Sequence, residues 1–217
     1  MINRVIRALV VYDFVLNFAF GLSAPIFAVF ILQNVDGSTI RTIGLSATFY
    51  WIARTLSTVP LSRLMDKTDG ERDEFYFILI GAFCVATIPL LYLMITETWH
   101  LYAIQFLYGI FNSMAIPAWR ILFTDHLDQG HRGYEWSLED IGIGIAVAGS
   151  AYLGAIIADR FGFQVVFIMV ALLGYASTLF IVPLYHDAMT RSQLKRSRFW
   201  STIMRRRHAI TNHEKNK

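Results

Sequence analysis

The stretch from Phe75 to Ile95 reads FYFILIGAFCVATIPLLYLMI, and it decides the fold class of this chain. It runs for 21 residues without a charged side chain. At about 1.5 Å per residue, a helix of this length is roughly 31 Å long, close to the roughly 30 Å thickness of the hydrocarbon core of a bilayer. The stretch therefore predicts a helix that crosses a membrane.

Five other stretches have a similar length and apolar character, and short polar connections separate them. The predicted spans are, with approximate bounds, residues 8–32, 42–65, 75–95, 99–123, 141–158 and 162–185. Together they predict an all-α membrane protein with a domain of six transmembrane helices over residues 1–187. A basic tail, residues 188–217, follows this domain. The tail could lie as an amphipathic helix on anionic lipid or act as a simple positive anchor.

The composition excludes several classes of protein. Of the 217 residues, 55% are hydrophobic and 16% are charged, whereas a soluble domain has roughly 25% charged residues. The formal charge is +3, but the basic residues gather at span ends and in the tail, so we predict contact with membrane lipid and not with nucleic acid. Cys84 is the single cysteine, and all six histidines lie outside the cores of the spans. The sequence therefore predicts no metal site and no cofactor.

Lysine and arginine are distributed unequally between the two ends of the spans. Arg41 and Arg160 alone lie at one end, while the other end has the tail together with Arg4, Arg7, Arg63, Lys67, Arg72, Arg120 and Arg132. Cytoplasmic loops carry the excess of positive charge in membrane proteins. We therefore predict a multi-pass protein of the cell membrane (plasma or inner) with both termini in the cytoplasm, which requires an even number of spans.

The chain repeats itself weakly at an offset near 92 residues. The segment SRLMDK, from Ser62 to Lys67, ends the second span, and the segment AIIADR, from Ala155 to Arg160, ends the fifth. On the same offset Pro25 falls opposite Pro117, and Asp13 falls opposite Gln105. The second and fifth spans run in opposite directions, so the pattern predicts an inverted repeat of three plus three helices.

Two connecting segments resemble motifs of the major facilitator superfamily (MFS). The segment SRLMDKTDGER after the second span resembles the loop Gly-x-x-x-Asp-Arg/Lys-x-Gly-Arg-Arg/Lys of that family, with a serine in place of the first glycine and one extra residue. The segment GAIIADRFGFQVVF, from Gly154 to Phe167, resembles its stretch Gly-Gly-x-x-Ala-Asp-Arg-Phe-Gly-Trp-Arg-x-x-Phe. The matching positions, which the resemblance implies are conformational-loop residues, are Ser62, Asp66, Lys67, Gly70, Arg72, Asp159, Arg160 and Gly162.

The resemblance implies one six-helix half of an MFS transporter. A full member has twelve spans, with the substrate between two halves, so the resemblance implies a homodimer or a second MFS half as the partner. Two sequence features that are common in the family are absent from this chain. Gln105 stands where many proton-coupled members have an arginine, and the stretch from Ser150 to Ala155 lacks the Gly-Pro motif of drug antiporters.

A few strongly polar side chains lie inside the predicted spans. Arg54 lies near the middle of the second span, where an arginine costs at least roughly 2.5–3.5 kcal/mol, so we expect a partner, and Asp13 is the candidate. In one interpretation these side chains line a path for the substrate. In the other, they form an ion pair and amide hydrogen bonds that hold the bundle together. The predicted substrate-path residues are Asp13, Asn17, Arg54, Gln105 and Asn112.

The sequence thus predicts a secondary transporter of a small solute, built as a half-size MFS-like unit that pairs with a second copy. Two alternatives stay open: a six-span substrate-capture subunit of an ATP-driven importer, and a non-transporting truncated MFS fragment. An intramembrane serine protease would need a Gly-x-Ser nucleophile with a histidine in the later spans, and that pattern does not occur here. The chain is therefore predicted not to be an enzyme.

Overall fold

The computed structural model describes residues 4–67, 71–128 and 130–186, so the predicted tail and Gly70 lie outside the described residues. The described residues form helices joined by short turns. The α-helices are α1 (Arg4–Ser23), α2 (Phe27–Asn34), α3 (Ile40–Met65), α4 (Glu71–Tyr92), α5 (Thr98–Asp125), α6 (Arg132–Phe161) and α7 (Phe163–Leu179), and a short 3₁₀ helix (Val182–His186) follows them.

Six helical segments correspond to the six predicted spans, with α1 and α2 together forming the first. Five helices are long and apolar enough to cross a membrane: Arg4–Ser23, Arg72–Tyr92, Thr98–Asp125, Arg132–Phe161 and Phe163–Tyr185. The helix α3 has 26 residues, roughly 39 Å, and is long enough, but its serines, threonines and arginines make it less apolar. The fold is that of an all-α bundle with six spans.

The first span is broken, which the sequence analysis did not anticipate. The break separates α1 from α2 at residues 24–26 and contains Pro25, which has no N–H to donate to the preceding turn. The chain turns there through short-range hydrogen bonds, from Ala24 N–H to the Phe20 carbonyl at 3.0 Å and from Ile26 N–H to the Ser23 carbonyl at 3.2 Å. The first span is thus one long helix with a short helix of eight residues after it.

The helix of the fifth predicted span, α6, begins nine residues before the predicted start at residue 141. It starts at Arg132, because a charged segment can be helical when it lies beyond the apolar stretch or packs against protein. Two acidic side chains of its first turns are buried: Glu135 is 1% exposed and Glu139 is 8% exposed. Glu135 accepts a hydrogen bond from the backbone N–H of Asp128 at 3.0 Å, which connects this helix to the turn before it.

The helix packing has the form of an inverted repeat. The main packing pairs are α3 with α5, α1 with α6, α4 with α5, α1 with α7 and α4 with α7. Exchanging α1 with α5, α3 with α6 and α4 with α7 converts this set of pairs into itself. The first three spans and the last three therefore occupy equivalent places, as the offset of 92 residues in the sequence predicted.

Glycines allow the two equivalent pairs to pack closely. Where α1 crosses α6, the backbone of Gly154 lies directly against the Leu22 carbonyl, and no Cβ fits between them. Where α3 crosses α5, Gly109 lies in the same way against the Tyr50 carbonyl. Small residues at helix crossings are typical of membrane bundles, because van der Waals contact replaces the hydrophobic effect between helices in lipid. These two crossings fix the helices that carry the polar residues of the interior.

A buried hydroxyl joins α3 to α5 near the second crossing. Ser113 is fully buried, and its Oγ lies 3.0 Å from the Arg54 carbonyl, 2.9 Å from the Gly109 carbonyl and 3.2 Å from Thr58 Oγ1. A hydroxyl donates one proton and can also accept hydrogen bonds, so the Ser113 side chain forms hydrogen bonds with both α3 and α5.

Ser113→Ala is expected to lower the stability of the folded protein by about 1–2 kcal/mol, because the Thr58 hydroxyl and the Arg54 carbonyl lose a buried partner. The melting temperature in detergent should fall by roughly 2–8 °C. Ser137→Ala is the control, since Ser137 is exposed and its hydroxyl bonds only within its own helix. An equal loss in the two variants would contradict the interhelical role.

Candidate functional site

A polar cavity lies inside the bundle among α1, α4, α5 and α6. Its volume is about 250 Å³, close to the lower end of the roughly 300–1,000 Å³ of small-molecule sites. Apolar side chains form much of its lining, and a few polar groups converge on it. The polar and aromatic lining residues are Tyr12, Asp13, Asn17, Asn112, Trp119, Arg120 and Glu139.

The half-buried Asp13 is held by its own helix. The Asn17 side-chain amide lies one turn further along α1 and donates to the Asp13 carboxylate at 2.8 Å and to the Asp13 carbonyl at 2.8 Å. This contact places both side chains on the cavity face of α1, as the spacing of four residues predicts. An amide donor leaves the carboxylate with further acceptor positions for another group.

A second carboxyl group lies against Asp13. The Glu139 side chain comes from α6 and lies within hydrogen-bonding distance of the Asp13 carboxyl. Two carboxyl groups hydrogen-bond to each other only when one of them carries a proton. Arg120, from α5, lines the same cavity near Glu139. The pair can therefore hold a proton or a cationic group in the interior of the bundle.

A chain of polar and aromatic contacts leads from the cavity to Arg54. Asn112 lines the cavity and lies one turn after Tyr108 on α5. The Tyr108 ring lies 5.0 Å from the Tyr50 ring on α3, and the hydroxyl of Tyr50 accepts a hydrogen bond from Arg54 at 3.0 Å. The Arg54 guanidinium also lies 5.0 Å from the centre of the Trp51 ring, a cation–π contact.

The expected pair between Asp13 and Arg54 does not form, and that prediction was wrong. In the described part of the chain Asp13 contacts Asn17 and Glu139, while Arg54 contacts Tyr50 and Trp51. The reason is the order of the helices. The neighbour of α3 is α5, whereas α1 packs against α6, so opposite charge inside the membrane does not bring the two side chains together.

The predicted substrate-path residues divide into two groups. Asp13, Asn17 and Asn112 line the cavity together. Arg54 and Gln105 lie outside its lining, Arg54 half-buried on α3 and Gln105 only 6% exposed within α5. Their role on a substrate path stays a prediction.

Sequence reasoning missed Glu139, Arg120 and Trp119 as cavity residues. Glu139 was overlooked because the fifth span was predicted to begin at residue 141. A signal for it existed in the buried face of α6, where Glu135, Glu139, Ala146, Ser150 and Gly154 recur at helical spacing. Continuing that face toward the N-terminus of the helix would have placed Glu139 in the interior.

The conformational-loop residues lie at the two opposite ends of the bundle. Ser62, Asp66 and Lys67 are at the end of α3, where the Asp66 N–H donates to the Ser62 carbonyl at 3.0 Å. Nearby, the Arg72 guanidinium lies 5.7 Å from the centre of the Tyr185 ring. This end carries the start of α1 and is called the terminal end below.

The second loop, at the opposite end, joins α6 to α7 through one residue. Asp159 and Arg160 are exposed in the last turn of α6, and Gly162 follows with a φ of 84°. A left-handed backbone of this kind favours glycine, so the turn explains why the motif has a glycine there. Among the described residues, no three His, Cys, Asp or Glu side chains come together in a way that would hold a metal ion.

Comparison with known proteins identifies relatives of this architecture. Residues 10–211 match the family model described as Major Facilitator Superfamily. The chain is 26% identical over 165 residues to the uncharacterized MFS-type transporter YitZ of Bacillus subtilis (strain 168), covering 76% of this chain and 97% of YitZ. It is 29% identical over 175 residues to the multidrug resistance protein MdtG of Salmonella typhimurium, covering 77% of this chain and 41% of MdtG.

The solved structure of the POT family transporter PepTSo has the same fold. It superposes with a TM-score of 0.70 at 14% sequence identity, covering 88% of this chain and 39% of PepTSo. The chain therefore spans well under half the length of MdtG and of PepTSo, and nearly the whole length of YitZ.

Proposed function

The chain belongs to the Major Facilitator Superfamily, whose members are transporters, and from that premise we propose that it is a secondary transporter of a small solute. It is a multi-pass membrane protein, and the substrate passes through the cavity around Asp13. The carboxyl groups of Asp13 and Glu139, together with the amides of Asn17 and Asn112, contact the solute or its coupling ion.

The observation that carries this proposal is the carboxyl pair in the interior. Asp13 and Glu139 lie among apolar helices, where an ionisable group costs at least roughly 2.5–3.5 kcal/mol. Such residues in membrane proteins face a water-filled path and mark the place where ions or substrates move. The cavity that they line has room for a small molecule, which a purely structural pair does not need.

The proposed unit of transport is a pair of bundles. One bundle forms one side of a substrate cavity, and MFS halves work by rocking against each other around a site near the midplane of the membrane. We assign the second bundle to a second copy of this chain. In this arrangement the terminal end, which has most of the basic residues, faces the cytoplasm of a cell whose plasma or inner membrane holds the protein.

A capture subunit of an ATP-driven importer is the second candidate, and a copy that binds without transporting is the third. Each makes a different prediction for the purified protein. A capture subunit co-purifies with an ATPase and needs ATP for uptake. A non-transporting copy gives no uptake with any compound. A secondary transporter moves its solute down a gradient in proteoliposomes that contain this chain alone.

The test is a ligand screen followed by transport. Purified protein is heated with sugars, amino acids, nucleosides, organic anions, short peptides and lipophilic drugs, since a ligand of the folded state raises its apparent stability. At a ligand concentration of 100 Kd the gain is about 2.7 kcal/mol, or roughly 5–10 °C. The compound that shifts the melting temperature is then offered to proteoliposomes. Uptake that needs ATP, or no uptake of any stabilising compound, rejects the proposal.

A further inference from the structure

Arg54 is a cation near the middle of its membrane span. It lies 14 residues after the start of α3 at Ile40 and 11 residues before its end at Met65, which is roughly 21 Å and roughly 16 Å along the helix. Lipid headgroups lie outside the roughly 30 Å hydrocarbon core, so their phosphates do not reach this depth. The positive charge therefore needs a partner inside the membrane, either protein, water or a bound anion.

Among the described residues, the partners of the Arg54 side chain are neutral. Its Nη1 donates a hydrogen bond to the Tyr50 hydroxyl at 3.0 Å, and its guanidinium carbon lies 5.0 Å from the centre of the Trp51 ring. A guanidinium has several N–H groups, and the bond to Tyr50 uses one of them. A cation–π contact uses the face of the guanidinium, so the other N–H groups at its edge are left for an acceptor.

Three aromatic rings form a continuous wall beside Arg54. The Tyr50 ring on α3 lies 5.0 Å from the Tyr108 ring on α5, which stacks on Phe20 of α1 at 5.9 Å with 11° between the ring planes. All three side chains are half-buried, so each keeps part of its surface accessible. Aromatic groups pack against each other at centroid separations of about 4.5–7 Å, so a flat apolar body fits against this wall.

The aromatic wall continues into the cavity around Asp13. Asn112 lines that cavity and lies one turn after Tyr108 on α5. Asp13 lies seven residues before Phe20 on α1, roughly 10 Å along the helix. The cation and the acidic pair therefore lie at two ends of one polar and aromatic lining. The negative group of a ligand favours the end at Arg54, because opposite charges attract strongly away from water.

We propose that Arg54 binds the anionic group of the transported solute, and that this solute is a small carboxylate with a flat aromatic body. A carboxylate presents two oxygens in one plane, which match two N–H groups at the edge of a guanidinium. The aromatic body lies against Tyr50 and Tyr108, and its other substituents extend toward Asn112. This assignment rests on the transport function proposed above and names the class of its substrate.

Matched pairs of probes test the charge requirement on the wild-type protein. Benzoate, phenylacetate and indole-3-acetate are each compared with the corresponding carboxamide, which has a similar size and the same ring but no charge. Dissociation constants are measured in lipid nanodiscs, with empty nanodiscs as the background. At least one carboxylate should bind tenfold or more tightly than its amide, because charge-assisted hydrogen bonds are the stronger ones. Equal affinities in all three pairs, or no binding of any carboxylate, overturn the proposal.

Arg54→Gln tests whether the preference for the carboxylate comes from this side chain. Glutamine keeps hydrogen-bonding capacity but has no charge, so the ratio of the amide and carboxylate dissociation constants should fall below twofold. Arg41→Gln is the matched control, since Arg41 is exposed in the first turn of the same helix, and it should keep the wild-type ratio. A preference of tenfold or more in Arg54→Gln overturns the proposal.

Arg54→Lys separates the shape of the guanidinium from its charge, and it serves as the measurement if Arg54→Gln does not fold. Lysine keeps the positive charge but lacks the planar fork that binds two carboxylate oxygens at once. The carboxylate should bind at least threefold more weakly than to wild type and still more tightly than its amide. Wild-type affinity for the carboxylate in Arg54→Lys overturns the proposal.

Acetate tests the contact with the aromatic wall. It has the charged group of the other probes without their ring, so it should bind at least tenfold more weakly than the best aromatic carboxylate. Equal affinity of acetate and the aromatic carboxylates overturns the named class of substrate.

Binding and uptake, measured side by side, separate this proposal from the proposed function. Uptake of a neutral or cationic solute by a protein that does not prefer the carboxylates rejects the anion site and leaves the transport function in place. A preference for carboxylates that depends on Arg54, without uptake of any compound, rejects the transport function and leaves an anion site alone. Uptake of the preferred carboxylate that is at least tenfold slower in Arg54→Gln supports both.

Discussion

Gly154→Ala is expected to leave little stable protein. The added methyl group would overlap the Leu22 carbonyl, and at this crossing the neighbour is backbone, which cannot rotate away as a side chain can. Overpacking usually costs about 1–3 kcal/mol and sometimes more, and a backbone neighbour places this site at the upper end. Alanine gains roughly 1 kcal/mol over glycine within a helix, so the clash also outweighs an intrinsic gain.

The measurement is the melting temperature of the purified protein, with the yield of monodisperse protein beside it. A loss of about 3 kcal/mol corresponds to a decrease of roughly 6–12 °C. Gly149→Ala is the matched control on the same helix, since a Cβ at Gly149 meets nothing within 4 Å. That variant should be as stable as wild type or slightly more stable. A melting temperature for Gly154→Ala equal to that of Gly149→Ala would mean that α1 and α6 do not cross as closely as described.

Asp13→Asn is expected to lower transport at least tenfold while the protein stays folded. The amide keeps the size of the side chain and its contact with Asn17, but it has no charge and binds no proton in the cavity. The pair with Glu139 then has one ionisable group where it had two. Uptake is measured in proteoliposomes with the compound that the thermal screen selects, at equal amounts of reconstituted protein.

Asp125→Asn is the control for this substitution, because Asp125 is exposed at the end of α5 and lies outside the cavity lining. It should transport at the wild-type rate. If Asp13→Asn also transports at that rate, the cavity around Asp13 is not the path of the solute. If it melts far below wild type, the carboxyl group holds the bundle together, which is the structural interpretation of this residue.

Much of the fold could be predicted from apolar length, because a membrane span needs little more than a run of suitable side chains. The limits of that signal are visible in two helices. The start of α6 was placed at residue 141, since Glu135 and Glu139 precede the apolar run even though the helix buries both. The break at Pro25 lies within a largely apolar run, so hydropathy gives no sign of it.

The candidate site was only partly predictable, because the sequence does not show which helices are neighbours. Spacing of four residues placed Asp13 and Asn17 on one face of α1, and the structure confirms that they lie together. The cost of an unpaired arginine inside a span suggested Asp13 as the partner of Arg54, and this was wrong, since opposite charge does not say which helices touch. The actual partner, Glu139, comes from α6, and only the packing of α1 on α6 brings it there.

The main packing contacts all join one of the first three spans to one of the last three, and this has a consequence for biosynthesis. The chain leaves the ribosome from its N-terminus, so α1, α3 and α4 enter the bilayer before α5, α6 and α7, with which they make their main contacts. The least apolar of the early helices is α3, which carries Arg54, and its main packing partner, α5, is synthesised later. Until α5 has been made, α3 lacks its main packing partner, and lipid is a costly environment for the Arg54 side chain, so a nascent chain that ends before Thr98 should insert α3 poorly.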